Sequence, residues 1–214
     1  MSHTWFMENT TLKSKLRPVV SYLPKKELAK LFPLQEFRSV TQVVSDPRRT
    51  EWFKKEVTTN PEGCVAKAVR NGTRTHAALE KGVAKDELSQ AVLSAFNREI
   101  AIDLDEVWGL EEWLAHPLRF KGRFDGVGVY RGKVTLFDHK KTNKRKTLPQ
   151  VKGYFNQLAA YKMAHEHLYP QVQIEQVAVL NLWGTDPSNV GAQSFVLSAK
   201  EAAAYESFIA DRCL

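Results

Sequence analysis

The chain has 214 residues, 43% of them hydrophobic and 26% charged, which is the composition of a folded domain and excludes collagen, coiled coil and long disorder. It holds no apolar run long enough to span a membrane, and its two cysteines, Cys64 and Cys213, are too few for a disulfide framework, a thiolate zinc site or a four-cysteine iron–sulfur cluster. The formal net charge of +7 is segregated: residues 119–152 hold 11 Lys/Arg against 2 Asp/Glu, while residues 1–118 hold 17 against 16 and residues 153–214 hold 3 against 6. Such a local field suits a polyanion such as nucleic acid, and equally a solvated lysine-rich loop.

In chain order, residues 1–38 carry prolines at 18, 24 and 33 and no long period, and read as an irregular arm. Their basic start lacks the apolar core of a secretory signal and leaves a transit peptide open. Ser39 or Thr41 caps a short helix, and Asp46-Pro47 starts another that runs to about Val57. Asn60-Pro61 opens a helix that reaches Lys81 before Gly82, and residues 87–100 form one more. Val107–Leu114 reads as a short strand. Phe120–Tyr130 and Lys133–Asp138 alternate with period two around Arg131-Gly132, which predicts a tight hairpin. Pro149 to Leu168 is a helix, Val172–Trp183 and Ala192–Leu197 are strands, and Ser198 with Glu201 caps a final helix. This order predicts an α/β domain with a central mixed sheet flanked by helices, over residues 39–214, behind an N-terminal helical region.

The hairpin carries the chemistry. If Arg131 and Gly132 are the loop, Tyr130 pairs with Lys133, and the same register sets Asp125 opposite Asp138 on one face. Their neighbours on that face, Val127, Val129, Val134 and Leu136, are apolar. Two carboxylates at the end of a dry face need neutralising, and a divalent cation does this. Alternatively both acids fray into solvent, pair with Arg123 or Lys140, or are separated by a bulge at Gly126 or Gly128. Lys140 points to the same side as Asp138, with His139 on the other, so an ammonium stands beside the two acids. That trio suits stabilisation of a phosphate transition state; a surface salt bridge is the plainer alternative.

Gly122-Arg123-Phe124-Asp125 followed by Phe137-Asp138-His139-Lys140-Lys141-Thr142 resembles the PD-(D/E)XK nuclease superfamily in its RecB-like branch. Residues 72–80, with His76, resemble that branch's upstream helix, and Gln157 to Tyr161 its downstream Q-x-x-x-Y helix. Ser39-Val40-Thr41 and Tyr130-Arg131-Gly132-Lys133 are similar to the matching segments of the mitochondrial genome maintenance exonuclease subgroup, which shares these landmarks with phage relatives.

The resemblance implies a restriction-endonuclease-like core and hydrolysis of DNA phosphodiesters with Mg²⁺ or Mn²⁺, from free ends of single-stranded or flapped DNA, in replication, recombination or repair. It implies Asp125 and Asp138 as metal ligands, the His139 carbonyl beside them, Lys140 as the catalytic lysine and His76 near the metal. Glu80, one turn on, orients His76 or is a surface acid. A further carboxylate is Glu111 or Glu112; counting back to Leu114 favours the first, alternation the second. Gln157 and Tyr161 frame the phosphate or simply pack. Lys141, Lys144, Arg145 and Lys146 follow the motif directly and suit backbone phosphates. Tyr154, Phe155 and the tryptophans offer faces for unpaired bases, or pack in the core. No nucleotide cofactor or membrane is expected. Replication or recombination proteins are the expected protein partners. An intracellular setting is expected, with a bacterial or phage-infected cytoplasm favoured over a mitochondrial matrix. Two further readings stand beside this one: a structure-specific endonuclease of the same superfamily, and a DNA-binding accessory protein whose site is inactive.

Overall fold

The computed structural model describes residues 12–213; the first eleven residues, with part of the basic start, and Leu214 lie outside them. Among the described residues no helix is long and apolar enough to cross a membrane. The helices are α1 (Lys25–Leu31), α2 (Val40–Val44), α3 (Pro47–Thr59), α4 (Cys64–Lys81), α5 (Glu87–Glu99), α6 (Leu148–Leu168) and α7 (Ala199–Cys213). The strands are β1 (Arg38–Ser39), β2 (Leu104–Leu110), β3 (Trp113–His116), β4 (Phe120–Arg123), β5 (Gly126–Tyr130), β6 (Lys133–Thr142), β7 (Gln176–Asp186) and β8 (Asn189–Ser198).

Local chemistry sets many of the boundaries. Ser39 and Gln42 form a capping box on α2, and the Asp46 side chain accepts from Arg48 N–H ahead of Pro47 to start α3. Gly82, at φ 68°, stops α4. Thr147 with Gln150 opens α6, and Ser198 with Glu201 opens α7. The hairpin turn places Arg131 at φ 53° and Gly132 at φ 71°, as a two-residue turn between twisted strands requires. Arg131 is held there by Asp103, whose carboxylate lies 2.8 Å from its Nε.

A five-stranded sheet runs β2-β5-β6-β7-β8 and a smaller one runs β1-β4-β3. In the large sheet only β6 and β7 are parallel, joined through α6 as a parallel pair requires, so the sheet is mixed. On one face Val127, Leu136, Val177 and Val179 pack against Val151, Phe155 and Leu158 of α6 and Ile209 of α7. On the other, Phe137, Ala178, Leu180 and Leu182 pack against Leu79 of α4 and Leu93 and Phe96 of α5. This is the expected α/β architecture, consistent with a restriction-endonuclease-like core.

Three expectations change. Val107–Leu114 and Phe120–Tyr130 are not single strands: each divides between the two sheets, β2 from β3 at Glu111-Glu112 and β4 from β5 at Phe124-Asp125. The two breaks face each other, with Glu111 N–H donating to Asp125 O at 3.2 Å and Phe124 N–H to Glu112 O at 3.1 Å. The strand expected from Val172 starts at Gln176, because a turn after α6 fixes Val172 N–H on Tyr169 O and Ile174 N–H on Glu166. Of the N-terminal segment, Leu12 packs in the α5-side core, while Leu28, Leu34 and Phe37 gather around Ala115 of β3.

Candidate metal centre

The hairpin register is as expected from Tyr130↔Lys133 to Gly126↔Phe137, where it ends. No side chain fits at Gly126: a Cβ there would lie 2.1 Å from the Phe137 ring. Asp125 lies one residue past the last pair, in the bend between the two sheets, so it does not face Asp138 as a ladder pair. Its carboxylate instead closes the β6 edge: Oδ2 accepts from the His139 N–H at 2.7 Å and lies 3.3 Å from His139 Nδ1. The adjoining β6 residues diverge as alternation requires, with Asp138 and Lys140 on the α6 side and His139 on the α4/α5 side.

Asp138 is 1% exposed, and Lys140 Nζ stands 2.6 Å from its Oδ2. Among the described residues neither Asp138 oxygen has a hydrogen bond of regular geometry, so the contact with Lys140 is mainly ionic. Burial raises the Asp138 pKa; the Lys140 ammonium opposes this, and the Asp125 carboxylate reinforces it. Burial acts the same way on Asp125, but the His139 and His76 imidazoles and Lys140 outweigh it and hold that carboxyl below the usual range. For Lys140, burial disfavours the charge, yet Asp138 and Asp125 raise its pKa above the ordinary value.

His76, on α4, reaches the same point. Its Nε2 lies 3.2 Å from the His139 carbonyl oxygen, and its Nδ1 lies 3.8 Å from Asp125 and 3.9 Å from Glu111. Burial lowers its pKa, but Glu111, Asp125 and Asp138 together raise it. Donor atoms of His76, Asp125 and His139 all lie within 4.8 Å of one another. This set of two imidazoles and a carboxylate fits a divalent cation, and the Asp138 oxygens, buried and short of partners, lie on the other face of the same strand.

Of the two candidate glutamates, Glu111 faces the cluster, in an ion pair with Arg123 at 2.8 Å. Alternation misassigns it because Glu111 takes φ 56° at the break between strands. Glu112 turns toward Tyr22 and Tyr169, and burial raises its pKa. Glu80 lines a cleft of about 360 Å³ with His76, Glu111 and Arg123. Tyr161 is 5% exposed, receives a long 3.4 Å hydrogen bond from Gln157, and has its pKa raised by burial and by Asp138, Asp125 and Glu111.

The basic residues part company. Lys141 turns to the α5 side, where its ammonium donates to the Gly184 and Thr142 carbonyls. Lys144 and Arg145 are exposed and Lys146 half-buried, in the loop after β6. Buried Asn181 fastens that loop: its Nδ2 donates to Lys140 O at 3.1 Å and Thr142 Oγ1 at 2.9 Å. Its Oδ1 accepts from Gln193, which also bonds Lys146 O and Arg145. Phe155 is core, while Tyr154 is half-buried with its ring centroid 5.4 Å from Lys140 Nζ. Sequence reasoning missed the His139 imidazole, for which alternation gave only its face, opposite Lys140, and the Asn181–Gln193 relay, for which there was no signal.

No family model and no curated protein matches the chain. Among solved structures, a "Putative exonuclease" from Eubacterium rectale is similar over 90% of this chain and 84% of its own, at 9% identity and TM-score 0.51. The structure of SSO0001 covers 87% of this chain and 80% of its own, at 16% identity and TM-score 0.45. At such identities the likeness to the Eubacterium rectale structure is one of fold.

Proposed function

We propose that this chain is a divalent-metal-dependent nuclease that hydrolyses DNA phosphodiester bonds, of the PD-(D/E)XK superfamily and its RecB-like branch. One observation carries the reading: a fully buried, under-bonded Asp138 with the Lys140 ammonium 2.6 Å away, beside a compact cluster of Asp125, His139 and His76. A structural ion pair has little use for a second carboxylate and two imidazoles gathered on the adjoining residues. The nuclease-like fold and the printed name of the Eubacterium rectale protein agree with it.

Asp125 and Asp138 would hold Mg²⁺ or Mn²⁺, with His76 and His139 supplying further donors. When bound, such an ion supplies Lewis-acid charge to the phosphate and lowers the pKa of water. Lys140, kept protonated by its two acid neighbours, donates a hydrogen bond to the attacking water or to a phosphate oxygen and stabilises the negative charge that grows as the P–O bond forms. The water gives up a proton to solvent as its oxygen bonds to phosphorus, the bond from phosphorus to the 3′ oxygen breaks on the far side, and the 3′ oxygen takes up a proton from solvent. Arg123 fixes Glu111, and Glu111 with Asp125 orients His76. Gln157 and Tyr161 border the phosphate from α6, while Lys144, Arg145 and Lys146 grip neighbouring phosphates without reading bases. Lys141, held by two carbonyls, braces β6 rather than the substrate.

The finer reading is an exonuclease acting on free ends of single-stranded or flapped DNA, in replication, recombination or repair, inside the cell and alongside other proteins of those processes. The test incubates the protein with 5′- and 3′-labelled single strands, duplex and closed circles, in Mg²⁺, Mn²⁺ or EDTA. Short products from free ends, absent in EDTA, are expected. Cutting of closed circles would make it an endonuclease. No cleavage with any metal would overturn the enzymatic reading in favour of a DNA-binding accessory role.

A further inference from the structure

α3 is an anomaly. Of its thirteen residues none is buried, and Trp52 and Phe53 are 56% and 44% exposed. Asp46, Arg49, Thr50 and Phe53 stand at the spacing of one helical face, the stripe that a surface helix normally packs against its core. Here that stripe lines a cleft of about 420 Å³, whose other side is built from Lys140 and from Tyr154, Asn156 and Gln157 of α6. One wall of a helix with no buried residue thus looks across open space at the lysine of the candidate site.

The lining has a definite chemistry. Phe53 and Tyr154 supply two aromatic rings, and Lys140 already lies against the second. Arg49 and Lys140 supply two cations, and along α3 Arg48, Lys54 and Lys55 outnumber Glu51 and Glu56. The carboxylate in the lining, Asp46, accepts from Arg48 N–H and caps its own helix. Asn156 and Gln157 add amides able to meet a base edge. Aromatic faces beside cations form the general recipe for sequence-tolerant binding of unpaired nucleotides. The volume lies in the lower part of the roughly 300–1,000 Å³ range of small-ligand sites, which suits one nucleotide rather than a base pair.

We infer that this cleft is a pocket for one unpaired nucleotide of the substrate strand, its base against Phe53 and its phosphate between Arg49 and Lys140. The inference rests on the nuclease reading for its substrate and deepens it: the pocket selects single strands by holding an unpaired nucleotide beside the reacting bond. Gly153 provides a clean way to close it, because a Cβ there would meet no described atom within 4 Å and a larger side chain would project into open space.

The experiment measures binding of a single strand carrying a 2-aminopurine base, and of a blunt duplex, in EDTA so that nothing is cleaved. The proteins compared are wild type, Phe53→Ala, Phe53→Trp and Gly153→Leu. Phe53→Ala is expected to weaken single-strand binding roughly 5- to 100-fold and to relieve quenching of the 2-aminopurine. Phe53→Trp keeps both, Gly153→Leu loses both, and duplex binding does not change. Wild-type affinity for the single strand in both Phe53→Ala and Gly153→Leu would overturn the pocket, as would an equal loss on the duplex. The two readings fail separately. If wild type cleaves DNA with Mg²⁺ while the variants bind normally, the pocket falls and the nuclease stands. If wild type cleaves nothing while Phe53→Ala loses single-strand binding, the nuclease falls and the pocket stands.

Discussion

Replacing Lys140 with methionine removes the ammonium and keeps most of the side chain's length. Asp138, 1% exposed, then faces burial and the Asp125 carboxylate with its nearest cation gone. Burial, the largest influence, and the Asp125 carboxylate push its pKa up against the smaller opposing pull of His139, so the native variant holds Asp138 protonated at neutral pH. An unfolded aspartate ionises near 3.9, so keeping the proton at pH 7 costs about 3 pH units at about 1.4 kcal/mol each, or about 4 kcal/mol. Wild-type Asp138 is itself raised, so the deficit against wild type is smaller, about 2–4 kcal/mol, near the cost of stripping one partner from a buried pair. The sign follows from proton binding. A folded pKa above the unfolded one gives stability that is full below about pH 4 and is lost as pH rises. The deficit of Lys140→Met against wild type therefore shrinks from pH 7.5 to pH 5. Urea unfolding in EDTA at both values measures it, and adding Asp138→Asn is expected to restore most of the loss at pH 7.5. Equal midpoints for wild type and Lys140→Met at pH 7.5, with no pH trend, would refute the reasoning.

Glu111→Gln is expected to weaken Mn²⁺ binding about 10- to 100-fold, as losing an outer partner of a metal site does, while Glu112→Gln leaves it near wild type; equal effects would contradict the assignment. His165 is fully buried, with its pKa pushed down to about 4 by burial and its Nε2 hydrogen-bonded to the Tyr22 hydroxyl at 3.0 Å. The unfolded chain takes up this proton first, so wild-type stability falls as pH drops from about 6.5 to 4, by about 3 kcal/mol in full. His165→Gln flattens that part of the urea-stability curve, and an unchanged slope would count against it. Asn181→Leu removes the side-chain donor to the Lys140 carbonyl and the Thr142 hydroxyl and one of the Gln193 amide's two acceptors, and is expected to cost about 2 kcal/mol in urea unfolding. By freeing the basic loop it also flattens the salt dependence of DNA binding; an unaltered slope would show that the loop is held by other means.

The hairpin was legible because period-two alternation and a two-residue turn leave little freedom, and the ladder from Tyr130 to Gly126 obeys that count; it stops one residue short of Asp125, so the expected pairing of Asp125 opposite Asp138 does not form. The same rule failed at Glu111 and across Phe120–Tyr130. Alternation assumes one continuous strand, and at both places the chain crosses from one sheet to another. Those crossings bring Glu111 and Asp125 together, so the site sits where local periodicity stops being informative. Capped helices were legible from their termini, as Asp46-Pro47 and Ser198 with Glu201 show. Lys141 looked like a phosphate ligand because sequence gives charge and not direction; its ammonium is spent on carbonyls across the sheet. The Asn181–Gln193 relay joins strands β7 and β8 to the loop after β6, a long-range contact without a local pattern.

The most direct measurement follows Mg²⁺-dependent cleavage of an end-labelled single strand by wild type, Asp138→Ala and Lys140→Ala, with DNA affinity determined on the same preparations. The account predicts cleavage by wild type, loss of cleavage in both variants and measurable DNA binding in all three. Full cleavage by either variant, with the metal still required, would contradict a centre built on Asp138 and Lys140.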